Sequence, residues 1–124
     1  MEVTVFFNPA CSNCRTTEGI LSEKGVDANY VRYLETRPSR EELEEVLRKL
    51  GTDNPHDILR TNEPLYRVYE LDKADGDKVL DAMARHPVLI QRPIVIRGDR
   101  AVIARPPERV LELLEDEVGA TADE

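Results

Sequence analysis

The chain has no tryptophan, only two cysteines and two methionines, and aromatic residues make up 5% of its 124 positions. Two cysteines are too few for the disulfide framework of a small secreted domain, and no apolar stretch approaches the roughly 18 residues that a membrane span needs. A patterned segment follows Met1 directly, so we expect no secretory leader. We therefore expect a cytoplasmic protein, in which closely spaced cysteines serve redox or metal chemistry.

Basic residues are also scarce, because 17 Lys and Arg stand against 25 Asp and Glu, which gives a formal net charge of -8. A protein that binds nucleic acid or an anionic membrane usually carries a basic face, so we expect neither partner here. Taken alone, the charge also argues against an anionic ligand. The length suits one core, and we predict a single domain over residues 1–118 with an acidic tail over residues 119–124.

The first half of the chain alternates between strand and helix patterns. β-Branched and aromatic residues predict strands over residues 2–7 and 29–34, and helical spacing predicts a helix over residues 12–24 between them. Ser39 and Glu42 have the spacing of a capping box, which predicts the start of a second long helix that Gly51 ends.

The second half is predicted to hold two short helical turns, a helix, a hairpin and a closing helix, over residues 56–60, 66–71, 77–85, 94–104 and 107–114. This order predicts an α/β protein with a thioredoxin-like fold. Its mixed four-stranded sheet is flanked by helices, and a helical insertion separates the second strand from the C-terminal hairpin.

Cys11 and Cys14 lie between the first predicted strand and the helix that follows it. Free N–H groups and the positive end of the helix dipole stabilise a thiolate there, so we predict a lowered pKa and a nucleophilic role for Cys11. Cys14 would lie one turn deeper, within reach of the Cys11 sulfur. Two ordinary buried thiols are a second interpretation, and half of a zinc site is a third, although His56 and His86 have unsuitable spacing.

Several arginines stand at the ends of predicted elements, where loops gather into sites. Of the 17 basic residues, 13 are Arg, and the guanidinium suits planar recognition of oxyanions. Arg15 follows Cys11 by one turn, whereas Arg60, Arg92 and Arg105 are scattered. A solvated, Arg-rich surface is the other interpretation, and the residues alone favour it. Pro93 precedes the hairpin, and the residues alone leave open a cis bond or a plain loop proline.

The segment NPACSNCR, from Asn8 to Arg15, resembles the active-site loop of the glutaredoxin-type arsenate reductases. Four further segments resemble that family in its order: YLETRP, LRTNEPLYR, HPVLIQRPIVI and ARPPERVLELL. The resemblance implies a thioredoxin-like fold and reduction of arsenate to arsenite after attack by Cys11. It assigns oxyanion binding to Arg60, Arg92 and Arg105. We also expect Asn8 and Arg15 to contact the substrate and Pro93 to shape the site.

The chain departs from the family pattern at two positions. Cys14 replaces the usual Ser, so an intramolecular Cys11–Cys14 disulfide becomes possible beside resolution by an external thiol. Phe7 stands where better-known members have His, so polarisation by the helix end and nearby Arg would have to activate the thiol. The resemblance implies no bound cofactor or metal, and the external reductant is thioredoxin, glutaredoxin with glutathione, or another small thiol.

Two other functions remain open at this point. Spx-type regulators share this fold and its C-x-x-C pair as a redox switch, and they bind RNA polymerase. The presence of Arg60 and Arg105 favours the enzyme over such a regulator. A general thiol–disulfide oxidoreductase is the third possibility.

Overall fold

The computed structural model describes residues 2–114, which form two compact units. The first unit combines the N-terminal segment through Arg32 with the segment that begins at Arg92. Its centre is a four-stranded sheet in the order β2-β1-β3-β4. The strands are β1 (Val3–Phe6), β2 (Ala28–Val31), β3 (Ile94–Arg97) and β4 (Arg100–Ile103). β1 runs parallel to β2 and antiparallel to β3, and β3 pairs antiparallel with β4, so the predicted mixed sheet is confirmed.

Helix α1 (Ser12–Glu23) connects β1 to β2, and its residues Cys14, Thr17 and Leu21 are buried at helical spacing. A 3-10 turn at Pro107–Val110 and the helical residues 111–114 complete the unit. The core combines inward-facing side chains of the sheet with those of the helices, including Val3, Val5, Leu21, Val95, Val102, Val110 and Leu113. Alternation in β1 therefore buries one face of the strand under α1 and the closing helical segment.

The second unit, Tyr33–Gln91, is helical. It contains α2 (Tyr33–Thr36), α3 (Arg40–Leu50), α4 (Pro64–Val68) and α5 (Gly76–Arg85), with 3-10 turns at Pro55–Ile58, Leu71–Lys73 and Pro87–Leu89. α3 packs against α5, and its apolar face buries Leu43, Val46 and Leu47. This unit is the predicted helical insertion between the second strand and the hairpin.

The predicted ends of α3 are confirmed in atomic detail. The Ser39 hydroxyl accepts from the Glu42 N–H, and the Glu42 carboxylate accepts from the Ser39 N–H. Gly51 ends the helix with φ of 83°, in the left-handed region. A capping box and a glycine cap satisfy the end groups of a helix that its own backbone leaves unpaired.

The prediction of the second strand over residues 29–34 is wrong at its C-terminal end. The strand ends at Val31, and Tyr33 instead begins α2, whose single turn is closed by a hydrogen bond from the Arg37 N–H to the Tyr33 carbonyl. Tyr33 is fully buried within the structure, so side-chain packing outweighs the β propensity of this aromatic and β-branched segment. The predicted acidic tail, residues 119–124, lies outside the described residues.

Among residues 2–114, no helix is both long and apolar enough to cross a membrane.

Candidate active site

The loop between β1 and α1 holds Cys11 at the N-cap of the helix. The Cys11 N–H donates to the Asn8 carbonyl oxygen at 3.0 Å, and the Cys11 carbonyl accepts the first helical hydrogen bond from the Arg15 N–H at 3.1 Å. The Asn8 side-chain oxygen accepts from the Ala10 N–H at 3.0 Å and so braces the turn. The first turn of α1 contains no acidic residue and no capping side chain, so its N–H groups are available to a negative charge on Cys11.

Strand register brings distant parts of the sequence to the same end of the sheet. Phe6 pairs with Ile94, and Ile94 pairs with Ile103. One residue further along, the Ala104 N–H donates to the Pro93 carbonyl oxygen at 3.0 Å. The Cys11 loop, the entry to β3 and the exit from β4 therefore meet at one edge, where Arg92, Pro93 and Arg105 lie. Pro93 is buried, and the Arg92–Pro93 peptide bond is cis.

The pKa of the Cys11 thiol lies below its ordinary value, the direction that its place at the helix start predicts. Burial acts in the opposite sense and raises this pKa, since Cys11 is only 8% exposed. Interactions of the Cys11 sulfur with the Cys14 backbone N–H, the Arg92 guanidinium and the Cys14 thiol lower the pKa, and the Arg92 charge lowers it further. The structure thus holds Cys11 as the better thiolate of the pair.

The pKa of Cys14 is raised to about 12. Burial is the largest cause, because Cys14 has no exposed surface, and the hydrogen bond to Cys11 and the negative charge of Cys11 raise the pKa further. The Asn8 backbone N–H and the Arg92 charge act against these effects. The environment thus favours the neutral thiol at Cys14 and the thiolate at Cys11, so the pair is chemically asymmetric.

Arg92 is the basic side chain that contacts the Cys11 sulfur. Its Nε is buried and has no hydrogen-bond partner among the described residues. The Arg105 guanidinium donates from Nη1 to the Arg92 carbonyl oxygen at 3.1 Å. The structure therefore brings together Cys11, Cys14, Arg92 and Arg105, and an unsatisfied donor there suits an anion.

Arg15 and Asn8 are placed differently from one another. The Arg15 side chain is exposed and lines an open groove along α1 and the start of β2, together with Glu18, Asp27 and Tyr30. Cys14 faces the core and Arg15 is the next residue, about 100° around the helix, so its side chain points outward. Asn8 belongs to the Cys11 loop itself. A substrate contact by either residue stays a prediction.

Arg60 lies in the second unit, just after the 3-10 turn at Pro55–Ile58. Its backbone N–H donates to the Leu89 carbonyl oxygen at 2.7 Å, as part of a bridge between Leu59 and Ile90. The side chain is 11% exposed and its Nη2 lies 3.7 Å from a Glu63 carboxylate oxygen. Its Nη1 is buried and has no hydrogen-bond partner among the described residues.

Sequence reasoning missed three features of this region. The Asn8 backbone N–H interacts with the Cys14 sulfur, Phe7 packs edge-to-face against Tyr30 with ring centroids 5.2 Å apart, and the Arg105–Pro106 bond is cis. The Phe7 contact explains how an apolar ring is accommodated where the family pattern has His. Only the x-Pro dipeptide itself could have indicated the second cis bond.

Comparison with known proteins agrees with this architecture. Residues 6–113 match the ArsC family. An arsenate reductase of Haemophilus influenzae is 41% identical over 116 residues, which cover 92% of this chain and 100% of the relative. An arsenate reductase of Neisseria meningitidis serogroup A is 37% identical over 115 residues, or 91% of this chain and 98% of the relative.

Among solved structures, the arsenate reductase from Vibrio cholerae superposes with a TM-score of 0.87 at 40% identity, over 90% of this chain and 97% of that chain. The thioredoxin-like fold and the family resemblance predicted from the sequence are both confirmed. The chain belongs to the ArsC family.

Proposed function

We propose that this protein is an arsenate reductase that converts arsenate to arsenite through Cys11. One observation carries the proposal. A cysteine whose pKa is lowered stands at the start of α1 beside Arg92, whose buried Nε has no hydrogen-bond partner within residues 2–114. A nucleophile beside an unsatisfied cationic donor suits an oxyanion whose central atom the nucleophile can attack.

In the first step, arsenate is held by N–H groups of the Cys11 loop and by Arg92 and Arg105, which offset its charge. The Cys11 thiolate attacks arsenic, a sulfur–arsenic bond forms, and a hydroxide leaves as water after it takes up a proton. Arsenic is still in the +5 state in this covalent adduct. The donors stay in place as charge shifts onto the oxygens, which is how such sites lower the barrier.

The second step resolves the adduct, and we assign it to Cys14. Its thiol loses a proton and attacks the Cys11 sulfur, so that a disulfide forms. The sulfur–arsenic bond breaks with its electron pair left on arsenic, which is thereby reduced from +5 to +3 and leaves as arsenite. The placement of both residues at the start of α1 supports this assignment, because it holds the attacking sulfur on the same element as its target.

The oxidised protein then needs an external thiol reductant. Thioredoxin suits the reduction of a Cys11–Cys14 disulfide. Glutathione with glutaredoxin, or another small thiol, would instead attack the sulfur–arsenic adduct in place of Cys14. Such reductants are maintained in the cytoplasm, and we place the reaction there. Arg60 is assigned as a third oxyanion ligand only by resemblance and needs its own test.

The decisive experiment measures arsenite formation and arsenate-dependent NADPH oxidation, with the thioredoxin and glutathione–glutaredoxin systems supplied in turn. We expect turnover with wild type, none with Cys11→Ser, and loss of the thioredoxin-dependent rate with Cys14→Ser. Thr16→Ala, which changes an exposed residue of α1, is the matched control and should behave as wild type. If neither reductant supports arsenite formation, the proposed function is wrong.

A general thiol–disulfide oxidoreductase is the second candidate, because the buried Cys14 beside Cys11 is the arrangement that exchange reactions use. The same assay separates the two functions. A general oxidoreductase would reduce a disulfide substrate such as insulin at a rate that arsenate does not alter, and Arg105→Ala would leave that rate unchanged.

A further inference from the structure

The two thiols of the active-site loop stand at the start of the same helix and belong to the same buried cluster, and they are the only cysteines of the chain. Cys11 is the N-cap of α1 and Cys14 lies in its first turn, so both sulfurs are fixed to one rigid element. Their side chains face the same buried space, where Cys11 is 8% exposed and Cys14 is not exposed. A pair of sulfurs held this way has the properties of a two-point ligand for one soft atom.

We propose that reduced Cys11 and Cys14 together form a chelating site for trivalent arsenic, in which both sulfurs bond to one arsenic atom. The ligand class is the arsenous acids, of which arsenite is the smallest member. This inference rests on the proposed function, because arsenite is the product of the proposed reaction. The binding itself requires no catalysis.

The bond changes are balanced without any oxidation. The Cys11 thiolate displaces one hydroxyl of arsenous acid as hydroxide. The Cys14 thiol displaces a second hydroxyl, which leaves as water with the proton of the thiol. Two sulfur–arsenic bonds replace two oxygen–arsenic bonds, one hydroxyl stays on arsenic, and arsenic remains in the +3 state.

Because both sulfurs are attached to the start of one helix, the second bond is nearly intramolecular. Joining two weak attachments on one rigid frame strengthens binding by a factor of about 10² to 10⁴ over either attachment alone. The buried position of Cys14 also keeps water from the bond that it forms. A family member with Ser at this position has one thiol here and could make only the single bond.

The chelate has a consequence for turnover. The disulfide form that leaves the proposed reaction has no free sulfur and cannot hold arsenite. The reduced form can, so arsenite should inhibit by occupying the same two sulfurs that begin the next cycle. Inhibition by product should therefore be strong when reductant is in excess and weak when re-reduction limits the rate.

The test titrates the fully reduced, full-length protein with sodium arsenite under anaerobic conditions, with no arsenate and no reductant present. We expect one arsenic per chain, loss of both titratable thiols, and two sulfur neighbours in arsenic X-ray absorption spectra. Cys14→Ser and Cys11→Ser should each bind about a hundredfold more weakly or worse. The Thr16→Ala control should bind arsenite as tightly as reduced wild type does. The disulfide form of wild type should not bind arsenite.

Arsenite affinity of Cys14→Ser equal to that of wild type, or an arsenic with one sulfur neighbour in wild type, would overturn the chelating site. The spectra of wild type decide the matter even if a variant of the buried Cys14 fails to fold. Because the titration contains no arsenate, an inactive protein that still chelates arsenite would refute the proposed function alone. An active enzyme with one-sulfur binding would refute the chelate alone.

Discussion

The Arg105 guanidinium donates a hydrogen bond of 3.1 Å to the backbone carbonyl oxygen of Arg92. This hydrogen bond joins the exit of β4 to the entry of β3. Its acceptor, Arg92, is also the residue whose side chain acts on the Cys11 sulfur. One nitrogen of Arg105 is thus committed to the backbone, while the side chain as a whole remains exposed to solvent. Arg105 can therefore both support the position of Arg92 and present its remaining N–H groups to a ligand.

Arg92 should control the ionisation of Cys11. In wild type the alkylation rate of Cys11 by iodoacetamide should rise with pH and level off below the pH expected for a free cysteine, whose pKa is about 8.5. The thiolate is the reactive form, and Arg92 lowers the pKa of Cys11. In Arg92→Ala the midpoint should move to higher pH, and in Arg92→Lys it should move less. Mass spectrometry of the alkylated loop measures the rate, and an unmoved midpoint in Arg92→Ala would contradict this role.

Arg105→Ala should lower kcat/KM for arsenate by about tenfold to a hundredfold, which is the range for losing a hydrogen bond to a charged group. Arg105→Lys should recover only part of the loss, because an ammonium does not reproduce the fork of donors. Arg109→Ala is the matched control, since Arg109 is exposed and pairs with Glu112. Steady-state kinetics and circular dichroism together separate a binding effect from unfolding, and full activity of Arg105→Ala would remove it from the oxyanion site.

Arg60→Ala tests the assignment made by resemblance alone. If Arg60 binds the oxyanion, kcat/KM for arsenate should fall by about tenfold or more, while the alkylation midpoint of Cys11 stays where it is in wild type. Arg85→Ala, an exposed change in the same unit, is the control. Unchanged arsenate kinetics in Arg60→Ala would show that this position does not follow the family pattern.

Gly19 lies within α1, and a Cβ added there would meet no atom within 4 Å. Gly19→Ala should therefore stabilise the protein by about 0.5 to 1 kcal/mol, because alanine restricts the unfolded chain and favours the helix. Gly51→Ala is the contrasting variant, because φ of 83° at Gly51 is strained for an L side chain. Its free energy of unfolding should fall by about 1 kcal/mol. Urea denaturation of both variants measures the two effects, and a destabilised Gly19→Ala would contradict this reading of α1.

Local signals determined what could be predicted from the sequence. The Ser39 and Glu42 spacing and Gly51 marked both ends of α3, because capping depends on neighbours in the chain. The end of β2 was mispredicted because the burial of Tyr33 depends on packing that no local pattern reports. The meeting of Arg92 with Cys11 was out of reach of spacing arguments for the same reason. It follows from the register between β1 and β3, and only family resemblance pointed to it.

Because of the register between β1 and β3, the reactivity of Cys11 reports whether these strands have paired correctly. If β1 and β3 paired two residues out of step, the alternation of buried and exposed side chains would survive, but Arg92 would move by about 7 Å relative to the Cys11 loop. The thiol would then lose its cationic neighbour and its enhanced reactivity. The fraction of Cys11 that is alkylated fast during refolding would thus measure the fraction of molecules whose strands have paired in the correct register. Circular dichroism cannot make this measurement, because a correctly paired sheet and a slipped sheet have the same secondary structure.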